Sequence, residues 1–329
     1  MKRRDFVTGL GTAAIAMASG RVGGQTSARV YRVGLLHSLV PPSDTSEFGA
    51  AFIRGLVQHG YTLGRNITIE RRGAEGHLDR LPALLQELIN SKVDVIVVQS
   101  YPSALAAKRA GTIPTVVIFG TGDPVATGLV ESLSRPGGNI TGISDVSVQL
   151  SPKRLEILKE LQPTLKRVAM LWNADDLGMT LRVREAESAA AALGLNVQAL
   201  GVREPDDFAH AFGAMERDRP DGILMVSDSL TFLNRRKVFD FAAANRLPAI
   251  YEFGFLVRDG GLMAYGPDLS GSFERAAGLV ARILEGANPA ELPFENPTRF
   301  TFVINLKAAR SLGLAVPESL LLQAAEVIE

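Results

Sequence analysis

The sequence predicts an α/β protein with two doubly wound, Rossmann-like lobes, each built on a parallel central sheet. Strand and helix patterns alternate along most of the chain, several strands are continuous β-branched runs, and the alternation restarts near residue 150. Continuous apolar strands are typical of sheets covered on both faces, and strand–helix alternation is typical of doubly wound folds. The length of 329 residues fits two domains of about 150 residues each.

Each element of the two halves follows from its periodicity and its terminating residues. In the first half the predicted strands are Val30–Leu36, Asn66–Glu70, Val93–Val98 and Ile113–Phe119, and the predicted helices are Ser46–His59, Leu78–Asn90 and Pro102–Ala110. In the second half the predicted strands are Arg167–Trp172, Asn196–Val202, Gly222–Val226 and Pro248–Tyr251, and the predicted helices are Pro152–Leu161, Leu181–Leu193, Phe208–Arg217 and Leu230–Asn245.

The two halves also repeat each other in detail. Val93–Ser100 is similar to Pro220–Ser227, and Ile113–Gly120 is similar to Leu247–Gly254, in the same order and at the same stage of the alternation. Such an internal repeat favours two lobes of one architecture.

The final stretch breaks the alternation. Phe273–Leu284 is a predicted helix, Thr298–Asn305 a predicted strand, and Leu306–Leu312 and Ser319–Ile328 are predicted closing helices. We expect the chain to pass between the lobes three times, so that three strands form a hinge. The predicted first lobe is residues 29–145 with about 269–297, and the predicted second lobe is residues 146–268 with about 298–329.

Residues 1–28 are predicted to be a signal peptide of the twin-arginine type. Arg3 and Arg4 precede the mildly apolar run Phe6–Ala18, which is well short of the ~20 residues that span a bilayer. Cleavage after Ala18 and cleavage after Ala28 both fit the pattern. The predicted location of the mature chain is the periplasm.

Composition excludes several classes of protein. Lys plus Arg and Asp plus Glu are both 35, so there is no basic excess and no nucleic-acid partner is expected. The absence of cysteine excludes disulfides and thiolate metal sites, and the four histidines lie far apart in sequence. We therefore expect no metal and no cofactor.

Ligands of parallel α/β sheets bind beyond the carboxyl ends of the strands. The residues at these positions are rich in hydroxyl, acidic and aromatic side chains, which suit an amino acid or a related carboxylate, an aromatic one included. Phe253 and Tyr265 also follow strands and could face an apolar ligand group. The candidate ligand-binding residues are Ser38, Ser100, Tyr101, Thr121, Asp123, Asp145, Asn173, Asp228, Ser229, Tyr251 and Glu252.

Structural roles compete with these assignments. Asp228 and Ser229 also fit a helix N-cap, Pro124 fits a tight turn before a helix, and Tyr251 fits a core position. The sequence contains neither a Gly-x-Ser-x-Gly elbow nor a phosphate-binding loop, so no catalytic residue is proposed. The pair Asp175-Asp176 is interpreted as solvated caps, and Lys153-Arg154 as an exposed helix face.

Seven segments form a set that extends over the mature chain: Gly55–Tyr61, Asn66–Glu70, Arg80–Ala83, Pro102–Lys108, Gly122–Val125, Arg135–Gly142 and Phe302–Ala309. In these segments the chain resembles the ABC-transporter substrate-binding proteins of the tryptophan/tyrosine type, which have a type I periplasmic-binding fold. The resemblance implies a ligand between the lobes. The chain lacks the cysteine that anchors lipoprotein members of the family, and the proline pair Pro41-Pro42 after the first strand departs from the family pattern.

The sequence therefore predicts an exported, monomeric, non-enzymatic protein that binds a small molecule and delivers it to the permease and ATPase of an ABC importer. Hinge closure around the ligand is the expected mechanism. Two alternatives remain open. One is a periplasmic sensor that presents its closed form to a membrane receptor, and the other is a hydrolase or lyase that uses Asp123 or Asp228.

Overall fold

The computed structural model describes residues 29–111, 113–144 and 146–329. The predicted signal peptide and Asp145 lie outside the described residues. The strands are β1 (Tyr31–His37), β2 (Ile67–Gly73), β3 (Val95–Val98), β4 (Thr115–Val117), β5 (Ile140–Gly142), β6 (Arg167–Asn173), β7 (Asn196–Val202), β8 (Gly222–Met225), β9 (Ala249–Tyr251), β10 (Met263–Pro267), β11 (Phe300–Asn305) and β12 (Glu326–Ile328).

Helices lie between most of these strands. They are α1 (Glu47–Gln58), α2 (Leu81–Asn90), α3 (Tyr101–Ala110), α4 (Ser147–Leu161), α5 (Leu177–Ala192), α6 (Asp207–Arg217), α7 (Ser229–Leu233), α8 (Arg235–Asn245), α9 (Gly254–Arg258), α10 (Leu269–Leu284), α11 (Leu306–Leu312) and α12 (Glu318–Gln323). Two short 3-10 turns, Leu78–Arg80 and Pro289–Glu291, complete the helical elements of the described chain.

The strands form two sheets, which confirms the predicted α/β class with two lobes. The first sheet has the order β2-β1-β3-β4-β5 and is wholly parallel. The second has the order β12-β11-β10-β9-β8-β6-β7, and β10 and β11 are its antiparallel pair. The similar segments around β3 and β8 occupy equivalent places, each between the opening strand of its sheet and the next strand.

Buried apolar side chains cover both faces of each sheet, as the continuous apolar strands require. The helix α10 follows β10 of the second sheet but packs against α1 of the first lobe. Phe273, Ala277 and Val280 of α10 lie in one buried cluster with Phe52 of α1. A Cβ atom on Gly55 would lie 2.5 Å from the carbonyl oxygen of Glu274, so this glycine permits the close approach of the two helices.

Three chain segments connect the lobes. They run from β5 to α4, from β10 to α10, and from the turn after α10 to β11. The backbone N–H of Ser144 donates to Glu295, and that of Asp268 donates to Arg299, so neighbouring segments are tied to each other.

The carboxyl-terminal segment differs from the prediction. Ser319–Ile328 was predicted as a single helix, but α12 ends at Gln323 and Glu326–Ile328 forms β12 beside β11. Backbone hydrogen bonding to the free edge of β11 outweighs the helical pattern of these last residues. The predicted helix Leu230–Asn245 is also divided, because α7 ends at Leu233 and α8 begins at Arg235.

Candidate ligand-binding cleft

A cavity of about 480 Å³ lies between the lobes, at the carboxyl ends of their strands. One part of its wall is polar and comes from the loops after β1, β3, β4 and β8. The residues of this polar part are His37, Ser38, Gln99, Ser100, Gly120, Ser227, Asp228 and Ser229. Of the candidate residues from the sequence, the structure places Ser38, Ser100, Asp228 and Ser229 in the lining.

The first lobe supplies a cluster of hydroxyl groups. The Ser38 Oγ lies 2.5 Å from the Ser100 Oγ and 3.0 Å from the Ser103 Oγ. Ser100 has a φ of 74°, which a non-glycine residue rarely adopts and which marks strained loops at functional sites. Thr121, the residue after Gly120, is fully buried, and its Oγ1 has no hydrogen-bond partner within the described chain. Thr121 is not among the residues that line the cavity, so the structure does not place this candidate in the site.

His37 contributes a neutral imidazole to this wall. Its Nδ1 accepts a hydrogen bond from the Leu39 backbone at 2.8 Å. Burial lowers the pKa of His37 to about 4, and a hydrogen bond to Gln99 opposes the shift. The first lobe therefore offers hydroxyls and backbone groups here but no cation from His37 at neutral pH.

In the second lobe Asp228 is the N-cap of α7. Its Oδ1 accepts from the Thr231 N–H at 2.8 Å, and its Oδ2 accepts from Asn173 Nδ2 at 2.6 Å. Burial raises the pKa of Asp228, and these hydrogen bonds oppose the shift. The residue thus has the capping role that the sequence left open and also lines the cavity. The contact of Asn173 with the site is this hydrogen bond to Asp228. The buried Ser227 Oγ has no hydrogen-bond partner in the part of the chain that the structure describes.

Asp176 is a buried acid that the sequence analysis interpreted as a solvated cap. It does cap α5, accepting from the Met179 N–H at 3.2 Å, but it is only 3% exposed. Burial, with the nearby charge of Asp228 second, raises the pKa of Asp176 to about 7. Its neighbour Asp175 is exposed and pairs with Arg203 at 3.2 Å. The interpretation as solvated caps is correct for Asp175 and wrong for Asp176.

Tyr101 lies close to Asp176 although the two residues belong to different lobes. Burial raises the pKa of Tyr101, and the negative charge of Asp176 adds to the effect. Tyr101 is half-buried at the start of α3. The two side chains therefore flank the contact between the lobes beside the cavity.

Glu252 stabilises one loop of the cleft wall through two ion pairs and a hydrogen bond. Its Oε1 lies 3.2 Å from Arg154 Nη1, and its Oε2 lies 2.8 Å from Arg182 Nη1. The same Oε2 accepts the backbone N–H of Ser227 at 3.0 Å. Glu252 thus fixes the loop that carries Ser227 and Asp228. Arg154 is fully buried in this cluster, so the prediction of an exposed Lys153-Arg154 face is wrong for Arg154.

Two further candidates lie away from the cavity. Asp123 accepts from the backbone N–H groups of Val125 and Ala126 at 2.8 and 3.0 Å, which caps the turn after Gly122. Tyr251 is 1% exposed and packs edge-on against Phe239 with ring centroids 5.2 Å apart, in the core of the second lobe. Since side chains alternate along a strand, Tyr251 and Glu252 face opposite ways.

The rest of the cavity wall is apolar, and the sequence analysis missed most of it. Six phenylalanine rings line it, three from each lobe: Phe48, Phe119, Phe273, Phe232, Phe253 and Phe255. Phe119 of β4's loop meets Phe253 edge-on at 5.5 Å, and Phe48 meets Phe255 at 6.2 Å. Only Phe253 was named from the sequence. Phe119 is the last residue of the predicted strand Ile113–Phe119, so the rule for positions beyond a strand did not include it, although β4 ends at Val117.

The lobes also touch beside the cavity. A Cβ atom built on Gly178, in the first turn of α5, would lie 2.8 Å from the carbonyl oxygen of Thr121. On another side Arg258 Nη1 lies 3.3 Å from Glu47 Oε2, which forms an ion pair between the lobes. The structure therefore shows the two lobes in contact around the cavity.

No helix within the described residues is long and apolar enough to cross a membrane. Within the same residues, no group of three or more histidine and acidic side chains could hold a metal ion.

The chain is similar to known solute-binding proteins along most of its length. It is 27% identical over 290 residues to a tyrosine-binding protein of Clostridioides difficile, covering 88% of this chain and 82% of that protein. It matches the crystal structure of an ABC domain in complex with L-Trp from Streptococcus pneumonia with a TM-score of 0.83 and 25% identity, covering 91% of this chain and all of the other.

The ligand-free, open structure of a substrate binding protein from Clostridium difficile matches with a TM-score of 0.66 and 25% identity, covering 91% of this chain and 99% of that one. The sequence model of the ABC transporter substrate binding protein family matches residues 41–328. The resemblance seen in the sequence is confirmed, and the family implies a small-molecule ligand and ABC transporter partners. The chain belongs to the ABC transporter substrate-binding proteins, which are solute-binding proteins and not enzymes.

Proposed function

We propose that this chain is the exported solute receptor of an ABC importer and captures an amino acid or a related carboxylate by hinge closure. The observation that carries the proposal is the division of the 480 Å³ cavity into a polar wall at the strand ends and an apolar wall of phenylalanine rings. An amino acid with an aromatic or other apolar side chain has the same division. Both lobes contribute to each wall, so such a ligand bridges them.

The polar wall offers partners for both charged groups of an amino acid. Ser38, Ser100 and Ser227 supply hydroxyls, of which that of Ser227 has no partner among the described residues. We assign these hydroxyls and the adjacent backbone N–H groups to the ligand carboxylate. We assign the acidic side of the cleft, where Asp228 lines the cavity and Asp176 lies behind it, to the ligand ammonium.

Similar proteins support the ligand class and the motion. One relative is named as tyrosine-binding and one solved structure contains L-Trp. The TM-score is 0.83 against the tryptophan complex but 0.66 against the open, ligand-free structure. The lobe arrangement of this chain therefore resembles the ligand-bound form. We propose that the lobes, with limits near residues 145, 269 and 298, open about the three connecting segments.

A thermal-shift screen of the mature chain tests the ligand class. A ligand that binds only the native state raises the melting temperature by mass action. We expect amino acids with apolar side chains to raise it, and the matching N-acetyl amino acids and amino acid amides to do so far less. A screen in which sugars or polyamines raise the melting temperature and amino acids do not would contradict the proposal.

We also propose that residues 1–28 direct a monomeric mature chain to the periplasm by twin-arginine export. The paired Arg3 and Arg4 before a mildly apolar run support this route. Replacement of both by lysine keeps the charge and should leave precursor in the cytoplasm, as measured by fractionation and immunoblotting. Unchanged delivery of mature protein would contradict the twin-arginine route, whereas a block of the general secretory pathway serves as the control.

A further inference from the structure

The apolar wall of the cleft consists mostly of phenylalanine rings, with Ser46 and Asp259 as polar residues beside them. Phe48 stacks on Phe273 with ring centroids 5.2 Å apart, and Phe253 stacks on Phe255 at 5.5 Å. Phe232 meets Phe255 edge-on at 5.6 Å, and Leu233 and Val40 complete the lining toward solvent. A ligand side chain between these rings exchanges water for aromatic and aliphatic surface.

The polar side chains of the described lining at this end already have partners. The Ser46 Oγ donates to the Ser43 carbonyl at 2.7 Å and accepts from the Gly49 N–H at 3.2 Å. Asp259, the charged side chain among these lining residues, is held by Arg235, whose Nε lies 2.6 Å from its Oδ2. Arg235 in turn lies over the Phe232 ring, with its Cζ 4.1 Å from the centroid. A hydroxyl or ring N–H brought here by a ligand would lose its bond to water without an assured replacement.

We propose that the cleft selects an amino acid whose side chain has no hydrogen-bonding group, and that it prefers phenylalanine to tyrosine and tryptophan. This inference rests on the proposed function and narrows its ligand. The proposal also gives this chain a different preferred ligand from the tyrosine-binding relative and from the similar structure that contains L-Trp. A hydrophobic pocket discriminates against an added hydroxyl by up to about 100-fold, so the preference is measurable and modest.

Isothermal titration calorimetry of the ligand-free mature chain with L-phenylalanine, L-tyrosine, L-tryptophan and L-leucine tests the proposal. We expect phenylalanine to bind at least tenfold more tightly than tyrosine. Tyrosine binding as tightly as phenylalanine, or more tightly, would overturn it. If none of the four amino acids binds, this inference fails, and the thermal-shift screen decides separately whether another amino acid or a related carboxylate is the ligand. The two failures are therefore distinguishable.

Asp259 is the lining residue whose carboxylate could accept a hydrogen bond from the phenol of a bound tyrosine. Under the proposal the variant Asp259→Ala should leave the ratio of tyrosine to phenylalanine affinity unchanged. Asp240→Ala, which removes an exposed acid of α8, is the matched control. A selective loss of tyrosine affinity in Asp259→Ala, absent in Asp240→Ala, would show that Asp259 recognises a ligand hydroxyl and would overturn the proposal.

Discussion

At the scale of single residues, the cleft depends on carboxylates whose surroundings differ sharply. Glu252 lies between two buried arginines and supports the Ser227 loop, whereas Asp176 and Asp228 are buried close to each other. Two buried acids of like charge favour the protonated form of at least one of them. A ligand ammonium would relieve this repulsion, which ties ligand capture to the charge state of the site.

The pH dependence of stability should change in Asp176→Asn. Because the pKa of Asp176 is about 7 in the folded state and near 3.8 when unfolded, the folded protein binds this proton more tightly. The stability that Asp176 contributes by binding this proton is therefore lost as the pH rises from about 4 to 7. Asn keeps an acceptor for the Met179 N–H but does not titrate.

Relative to wild type, the variant should gain stability through that range, by the order of a few kcal/mol, and stay constant above pH 7. Urea denaturation of both ligand-free proteins across this pH range measures the difference, in which shared groups such as His37 cancel. A difference that does not vary with pH would contradict the raised pKa.

Asp228 allows its two roles to be separated. Asp228→Asn retains one side-chain oxygen that accepts from the Thr231 N–H but loses the acceptor for Asn173 Nδ2, so it should cost less stability than Asp228→Ala. Asp228→Ala removes the cap and should cost about 1 kcal/mol. If the charge of Asp228 attracts the ligand ammonium, both variants lose affinity in calorimetry. A stability loss in Asp228→Ala with unaltered affinity in both variants would leave only the capping role.

At the scale of elements, the first turn of α5 is the place where closure is most sensitive to volume. Gly178 lies in a helix, so alanine suits its backbone, yet a Cβ there would meet the Thr121 carbonyl of the other lobe. The contact exists only when the lobes meet. Gly178 therefore distinguishes the stability of the lobe from the stability of the closed arrangement.

The variant Gly178→Ala should bind ligand at least several-fold more weakly, while the melting temperature of the ligand-free protein is equal or higher. Gly213→Ala in α6 is the matched control, because its Cβ would meet only the end of the Arg217 side chain, at 3.4 Å. Calorimetry and thermal denaturation of the two variants provide the comparison. Equal ligand affinity in Gly178→Ala and Gly213→Ala would contradict a closed form in which Gly178 contacts the Thr121 carbonyl.

At the scale of the whole molecule, the proposed hinge mechanism requires this arrangement of the lobes to compete with an open one that exposes the phenylalanine rings and polar loops to water. A ligand shifts this equilibrium by its differential affinity for the closed form. The ring contact between Phe119 and Phe253 and the ion pair between Arg258 and Glu47 join the lobes in this structure, and the proposed opening would break them.

Small-angle scattering should therefore show a smaller radius of gyration once the ligand from the thermal-shift screen is added, with no change in mass. Gly178→Ala at the same ligand concentration should stay closer to the ligand-free radius. A radius that is constant while calorimetry shows saturation would mean a rigid, preformed pocket and would contradict hinge closure.

The sequence by itself determined the fold class, most strands and helices, and the family, because these depend on local periodicity and on short segments such as Val93–Val98. It also located the polar wall, since the carboxyl ends of parallel strands meet at one edge. The sequence could not distinguish Ser38, which lines the cavity, from Tyr251, which packs in the core. Both residues lie at the end of a strand, and they differ in the direction of the side chain, which the sequence does not show.

The apolar wall and the buried charges were decided by the tertiary structure alone. The six phenylalanines come from α1, α7, α9, α10 and the loops after β4 and β9, so no local pattern joins them. Arg154 and Asp176 have the local sequence of exposed helix residues and are buried because elements from distant parts of the chain cover them. Burial is a property of the assembled lobes, and the ligand chemistry of this cleft follows from that assembly.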